Sequence, residues 1–189
     1  MIVKNFGKLA SQLRKFLRDA DGSVNIEAII LMPVLLLTMA VSMVFYDAFR
    51  RDSMGEKATY TLGDMLSRET AYITPAYVDS AKDLFGFLTG TGDADNTIRV
   101  SVVSYDGPGA SYNVEWSEVR GAHAMTLTDA ELAGQHDQLP VMVSGEQLIV
   151  VETYVDYDWP LELGFNDGVL TARVFTRPRF APQLVWLGS

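Results

Sequence analysis

Glu27 stands immediately ahead of an apolar run of 18 residues, Ala28 to Phe45, which is the only membrane-length segment in the chain. A carboxylate near the centre of a membrane helix costs about 2.5–3.5 kcal/mol and less toward its end, so a counter-charge is the chemistry to look for here. Other reactive side chains are sparse. His123 and His136 are the only histidines and there is no cysteine, so a zinc site would need distant carboxylates to converge on them. The stretch Asp93, Ala94, Asp95, Asn96 has the flavour of a calcium loop but lacks the glycine and the distal bidentate glutamate of an EF-hand, and reads as a solvated turn. No nucleophile elbow, Walker loop or dinucleotide fingerprint occurs, and the mere coexistence of serine, histidine and aspartate makes no triad. The expectation is a protein that is not an enzyme, with no catalytic residues, no metal ligands and no cofactor.

The element that must position Glu27 is a helix. A secretory signal has an apolar core of roughly 7–15 residues and a small-residue cleavage site after it. Here the longer run passes into Tyr46, Asp47, Arg50 and Arg51, and is long enough to span a hydrocarbon core of about 30 Å. It reads as a retained, single-pass transmembrane helix. Lys4, Lys8, Arg14, Lys15 and Arg18 against Asp19 and Asp21 give the preceding segment a local positive excess, which places it in the cytoplasm. Everything after about Arg50 then lies outside. Pro33 removes one helical hydrogen bond, to the carbonyl of Ile29; the resulting bend helps the helix leave the bilayer, or is simply tolerated as prolines in membrane helices are.

Gly22 followed by Ser23, with Glu27 fifth from Ser23, resembles the class III leader of type IV prepilins and pseudopilins. The segment GSVNIEAIILMPVLLL, from Gly22 to Leu37 and including Pro33, is similar to the N-terminal segment of TadE/TadG-like proteins of the tight-adherence (Flp) pilus system. The resemblance implies cleavage between Gly22 and Ser23 by a prepilin peptidase at the bacterial inner membrane. It also implies a periplasmic body that enters or primes a pilus, with other pilins or pseudopilins and the assembly machinery as partners. It covers at most about a quarter of the chain. Ala28 departs from the aromatic or bulky residue common after the glutamate, and the chain is too short for the large adhesin-like domain of longer TadG members, which points to a TadE-like or related minor component.

Cleavage after Gly22 would create an ammonium at Ser23, four residues before Glu27 and on the same helical face. In a lateral bundle the carboxylate of one subunit could meet the ammonium of its neighbour, removing the desolvation cost only after assembly and fixing the axial register. The alternative is an interfacial carboxylate among lipid head groups. Upstream, Phe6, Leu9, Leu13 and Phe16 or Leu17 recur at steps of three and four, mostly displaced from the basic residues. They suggest either an amphipathic helix on the inner membrane surface or a basic tail that merely sets topology.

The remainder bounds a modest outer domain. Five basic and two acidic residues up to Gly22 leave the rest near −12 of a total of −9, which argues against nucleic-acid binding. From Tyr46 to about Glu69, Met54, Ala58, Leu62, Met65 and Leu66 keep helical spacing, so the membrane helix continues outward. Pro75 opens a second helix whose Tyr77, Ala81, Leu84, Phe85 and Leu88 read as core, stopped at Gly90. Thr97 to Tyr105 and Ser111 to Val119 alternate as strands about the turn at Asp106 to Gly109. Thr128 and Glu131 form a capping box for a helix to about Gln138, before Pro140. Gln147 to Tyr157 is the strongest strand, with a partner at Gly168 to Thr176 across the turn at Asn166, Asp167 and Gly168.

The fold class expected is α+β: a long N-terminal transmembrane helix continuing into a pilin-like head with an antiparallel sheet of about four strands. The parts are a cytoplasmic leader at 1–22, an extended helix at 23–70 and a periplasmic head at 71–189. Tyr154, Tyr157, Trp159, Phe165, Phe175, Phe180 and Trp186 crowd the last third and read mostly as sheet core. Pro178 and Pro182 keep the end from being a central strand, leaving Trp186 and Leu187 to dock on a neighbour or to close over the domain's own sheet. Beside the pilin reading stands an unprocessed single-pass protein whose outer domain is an accessory or ligand-binding module.

Overall fold

The computed structural model describes residues 21–158 and 168–188, with side chains from Ile26 onward except that of His136. The proposed leader helix, the turn at Asn166 and Asp167, and the aromatics Trp159 and Phe165 lie outside the described residues. The chain divides into two compact units that part between Tyr46 and Asp47. Helix α1 (Asp21–Ser67) is unbroken through Pro33 and contributes to both.

In the second unit, helix α2 (Pro75–Thr89) starts where the sequence says it should. Thr74 is the N-cap, with its hydroxyl accepting from the Tyr77 N–H at 3.3 Å, and Pro75 follows in the first turn, where a missing N–H costs nothing. Gly90 ends the helix at φ 69°, the left-handed conformation that glycine adopts without strain. Strands β1 (Asn96–Asp106), β2 (Ser111–Arg120), β3 (Gln147–Tyr157) and β4 (Gly168–Thr176) make an antiparallel sheet in the order β2-β1-β3-β4. The chain is therefore α+β, and the four strands fall where alternation and turn residues place them.

Against one face of the sheet pack Ala58, Leu62 and Leu66 of α1 and Val78, Ala81 and Phe85 of α2, over Ile98, Val100, Ile149 and Val151. Thr59 and Gly63 let α1 come close. The Thr59 hydroxyl lies 2.7 Å from that of Thr153, and a Cβ on Gly63 would sit 3.4 Å from the Val174 side chain. The Asp47–Arg51 turn of α1 is fixed against the end of β3, where the Tyr157 hydroxyl donates to Asp47 at 3.3 Å and Arg51 lies over the Tyr157 ring. Burial first, and then the Asp47 carboxylate, raise the pKa of Tyr157.

The opposite face is covered too, which alternation alone did not foretell. Leu127, Leu132, Leu139 and Met142, from the segment between β2 and β3, pack on Val103, Tyr112, Leu148 and Val150. The segment expected to be one helix is two pieces: α3 (Asp129–Ala133), capped by Thr128, and a 3-10 turn at His136–Gln138. Gly134, a weak helix former, falls between them, and the Gln135 N–H tightens onto the Leu132 carbonyl. A bulge in β2 serves both layers. Val102 faces Trp116 while Val103 faces Val114, so Glu115 is the extra residue, and Trp116 joins the helix-side core while Val114 joins the other.

The C-terminal segment closes over its own unit. Ile73 and Trp186 form a parallel bridge with bonds of 2.8 and 2.7 Å, Leu184 is buried, and the Trp116 indole N–H donates to the Leu184 carbonyl. Trp116 and Trp186 stack with centroids 5.5 Å apart. Phe180 is a correction to the core reading. It is 67% exposed, because the chain turns off the sheet at Arg177 and Pro178 before reaching it.

Candidate functional site

Gly22, Ser23, Glu27 and Pro33 all lie on α1, within the first unit. One helical turn separates Ser23 from Glu27, so their backbone positions share a face. The Glu27 side chain is exposed. From Ile26 to Met39 the apolar side chains stand out from the helix uncovered, Ile29 at 72% exposure and Met39 at 58%. Among the described residues α1 is the one helix long and apolar enough to cross a membrane. Its hydroxyls are turned inward on the backbone, Thr38 donating to the Val34 carbonyl and Ser42 to that of Thr38, both at 2.8 Å. That arrangement leaves neither hydroxyl an unpaired donor on the apolar surface.

The other residues that could do chemistry belong to the second unit. His123 Nε2 lies 2.8 Å from Asp156 Oδ2, and Thr97 Oγ1 accepts from the Ala122 and His123 N–H groups. Among the described residues no three histidine or carboxylate side chains are grouped as a metal site requires. Asp93 is paired with Lys82 at 2.7 Å, and Asp95 shares a polar hollow with Asp156, Asp158 and Arg51.

Two features escaped the sequence reading. The first is a buried ionic network on the second face of the sheet. Arg99 and Glu152, 4% and 3% exposed, pair across β1 and β3; Arg173 takes the other Glu152 oxygen, and Arg99 also reaches Glu131 of α3. Burial pulls the Arg99 pKa down, but the hydrogen bond and charge of Glu152 outweigh it and the net shift is upward. The signal was present as a charge of opposite sign, Arg99 and Glu152, inside each of two strands. The second feature is a groove of about 440 Å³ between α1 and α2, lined by Met65, Thr74, Ala76, Tyr77, Ser80 and Leu84 among others. Burial and then the Glu69 carboxylate push the Tyr77 hydroxyl up to about 12. Of the α2 stripe expected as core, Ala81 and Phe85 are buried, Tyr77 and Leu84 pack against the core half-buried, and Leu88 is 36% exposed; Phe87, outside that stripe, is 83% exposed.

Comparison with known proteins finds no family model that matches this chain, no matching curated protein and no matching solved structure.

Proposed function

We propose that this chain is a minor pilin or pseudopilin of a tight-adherence type IV pilus system, cleaved after Gly22 by a prepilin peptidase and assembled through α1. The observation that carries the reading is the lone carboxylate of Glu27, one turn beyond Ser23, at the start of an uncovered apolar surface on a single helix. Cleavage would supply the missing counter-charge as the Ser23 ammonium. Helix association in hydrocarbon gains little from apolar surface alone, so an interhelical ion pair is suited to fix register there. In this reading the N-terminus faces the cytoplasm, α1 crosses the inner membrane, and the sheet unit is a periplasmic head that contacts other pilins.

Mass spectrometry of the protein from its native host is expected to find a chain beginning at Ser23, and Gly22→Ala is expected to leave the leader attached. An intact Met1 terminus in a host with active prepilin peptidase would remove this reading and leave the unprocessed single-pass accessory protein. Glu27→Gln is expected to be processed normally but to lower piliation severalfold, since it abolishes the charge and preserves the shape; wild-type piliation in that variant would refute the pairing role.

A further inference from the structure

The segment between β2 and β3 covers a face of the sheet without joining it. Gly121 and Gly145, at φ 124° and 81°, stand at its two ends in a backbone region that glycine reaches without strain. A Cβ on Gly121 would run into Thr97, whereas one on Gly145 would meet open space. Among the described residues no main-chain to main-chain hydrogen bond links residues 122–144 to a strand, and the bonds the segment makes within its own main chain are short-range. Side chains hold it down instead. Ser117 Oγ accepts from the Leu127 N–H at 2.8 Å, Asp129 accepts from the Val114 N–H at 2.7 Å, and the Tyr112 hydroxyl donates to the Pro140 carbonyl at 3.0 Å. Arg99 reaches both the Met125 carbonyl and the Glu131 carboxylate.

The two faces of the sheet differ in what exposure to water would cost. On the helix side β1 and β3 present Ile98, Val100, Val102, Ile149 and Val151. The other side mixes Val103, Leu148 and Val150 with the buried polar residues Arg99, Ser101 and Glu152. Glu152 belongs to β3, so Arg99 keeps it when the covering segment lifts, and water then meets a paired charge. We propose that residues 122–144 are a lid that swings on Gly121 and Gly145 and opens as one piece, uncovering this mixed face while the four strands stay paired. Burial of Leu127, Leu132, Leu139 and Met142 holds the lid shut, and Glu131 latches it to Arg99. The inference is independent of cleavage after Gly22 and of membrane crossing.

The chain has no cysteine, so one introduced thiol reports its own exposure. Val150→Cys places a thiol under the lid and Val151→Cys places one on the helix side, both at buried positions. The test follows maleimide labelling of each full-length variant in non-ionic detergent. The Val150→Cys thiol is expected to react about 100-fold faster and to speed up only weakly with urea below the unfolding transition, where the Val151→Cys thiol speeds up steeply. Adding Glu131→Gln to Val150→Cys is expected to raise its rate severalfold at the same shallow urea slope. Equal rates and slopes for the two thiols would overturn the proposal, because both would then report unfolding of the whole unit. So would a Glu131→Gln change without effect on the Val150→Cys thiol. If either cysteine variant fails to fold, Val103→Cys and Val102→Cys, buried on the same two faces, repeat the comparison.

Discussion

Glu152 holds two arginines at once inside the sheet unit, and removing it leaves Arg99 with Glu131 as its one remaining carboxylate and Arg173 with only the Gln138 side chain. Deleting one member of a buried pair typically costs about 3–5 kcal/mol, because the remaining charge loses its compensation in a poorly solvated site. Glu152→Ala is therefore expected to lower unfolding free energy by about that amount in a urea titration followed by tryptophan fluorescence. A change within about 0.5 kcal/mol would mean that Arg99 and Arg173 find water or other partners. Tyr77 makes a pH-dependent contribution of known direction. Its folded pKa, about 12, lies above the unfolded value of 10, so the folded state holds the proton more tightly. The resulting stabilisation is complete below pH 10 and is lost as pH rises toward 12. Tyr157, shifted in the same direction, adds to the loss. Wild type should thus lose its stability advantage over Tyr77→Phe between pH 10 and 12 in thermal melts, and a constant difference across that range would refute the assignment.

Among the elements, those governed by local rules were legible. The N-cap at Thr74, the Pro75 start and the Gly90 stop fix α2, and the strand limits follow from alternation and from the turn residues at Asp106 to Gly109. What local rules do not encode is which second surface a strand touches. β1 is buried from Asn96 to Val103 on both faces, and only the tertiary path of the segment after Gly121 explains why Ser101, Val103 and the charged Arg99 are covered as well. Helical spacing, by contrast, does separate Phe85 from Phe87: the stripe takes in the first, which is buried, and leaves out the second, which is exposed. The C-terminal tail could have docked at home or abroad, and the Ile73–Trp186 bridge and the buried Leu184 place it at home. Removing Gln183 to Ser189 is accordingly expected to cost about 2–5 kcal/mol, as loss of a buried leucine does, and to raise fluorescence from a newly exposed Trp116. An unchanged melting temperature would show that these contacts contribute nothing to the fold.

Across the whole molecule, charge is divided along the sequence: five basic residues against two acidic ones up to Gly22, and an acidic remainder. That division, with the one membrane-length helix, supports the proposed orientation more than any single residue does. The sequence could reveal the apolar span because hydropathy is additive; it could not reveal the α2 groove, which arises from the packing of two helices onto one sheet. The tail bridge has a kinetic consequence. Trp116 is hydrogen-bonded to a carbonyl 68 positions later, and Ile73 pairs with Trp186 from the far side of all four strands. During vectorial synthesis or export, the ring of Trp116 and the end of α1 wait uncovered until that late segment emerges. The sheet unit therefore completes this packing only after Trp186 has emerged, and doing so closes a loop of 68 positions rather than a local turn.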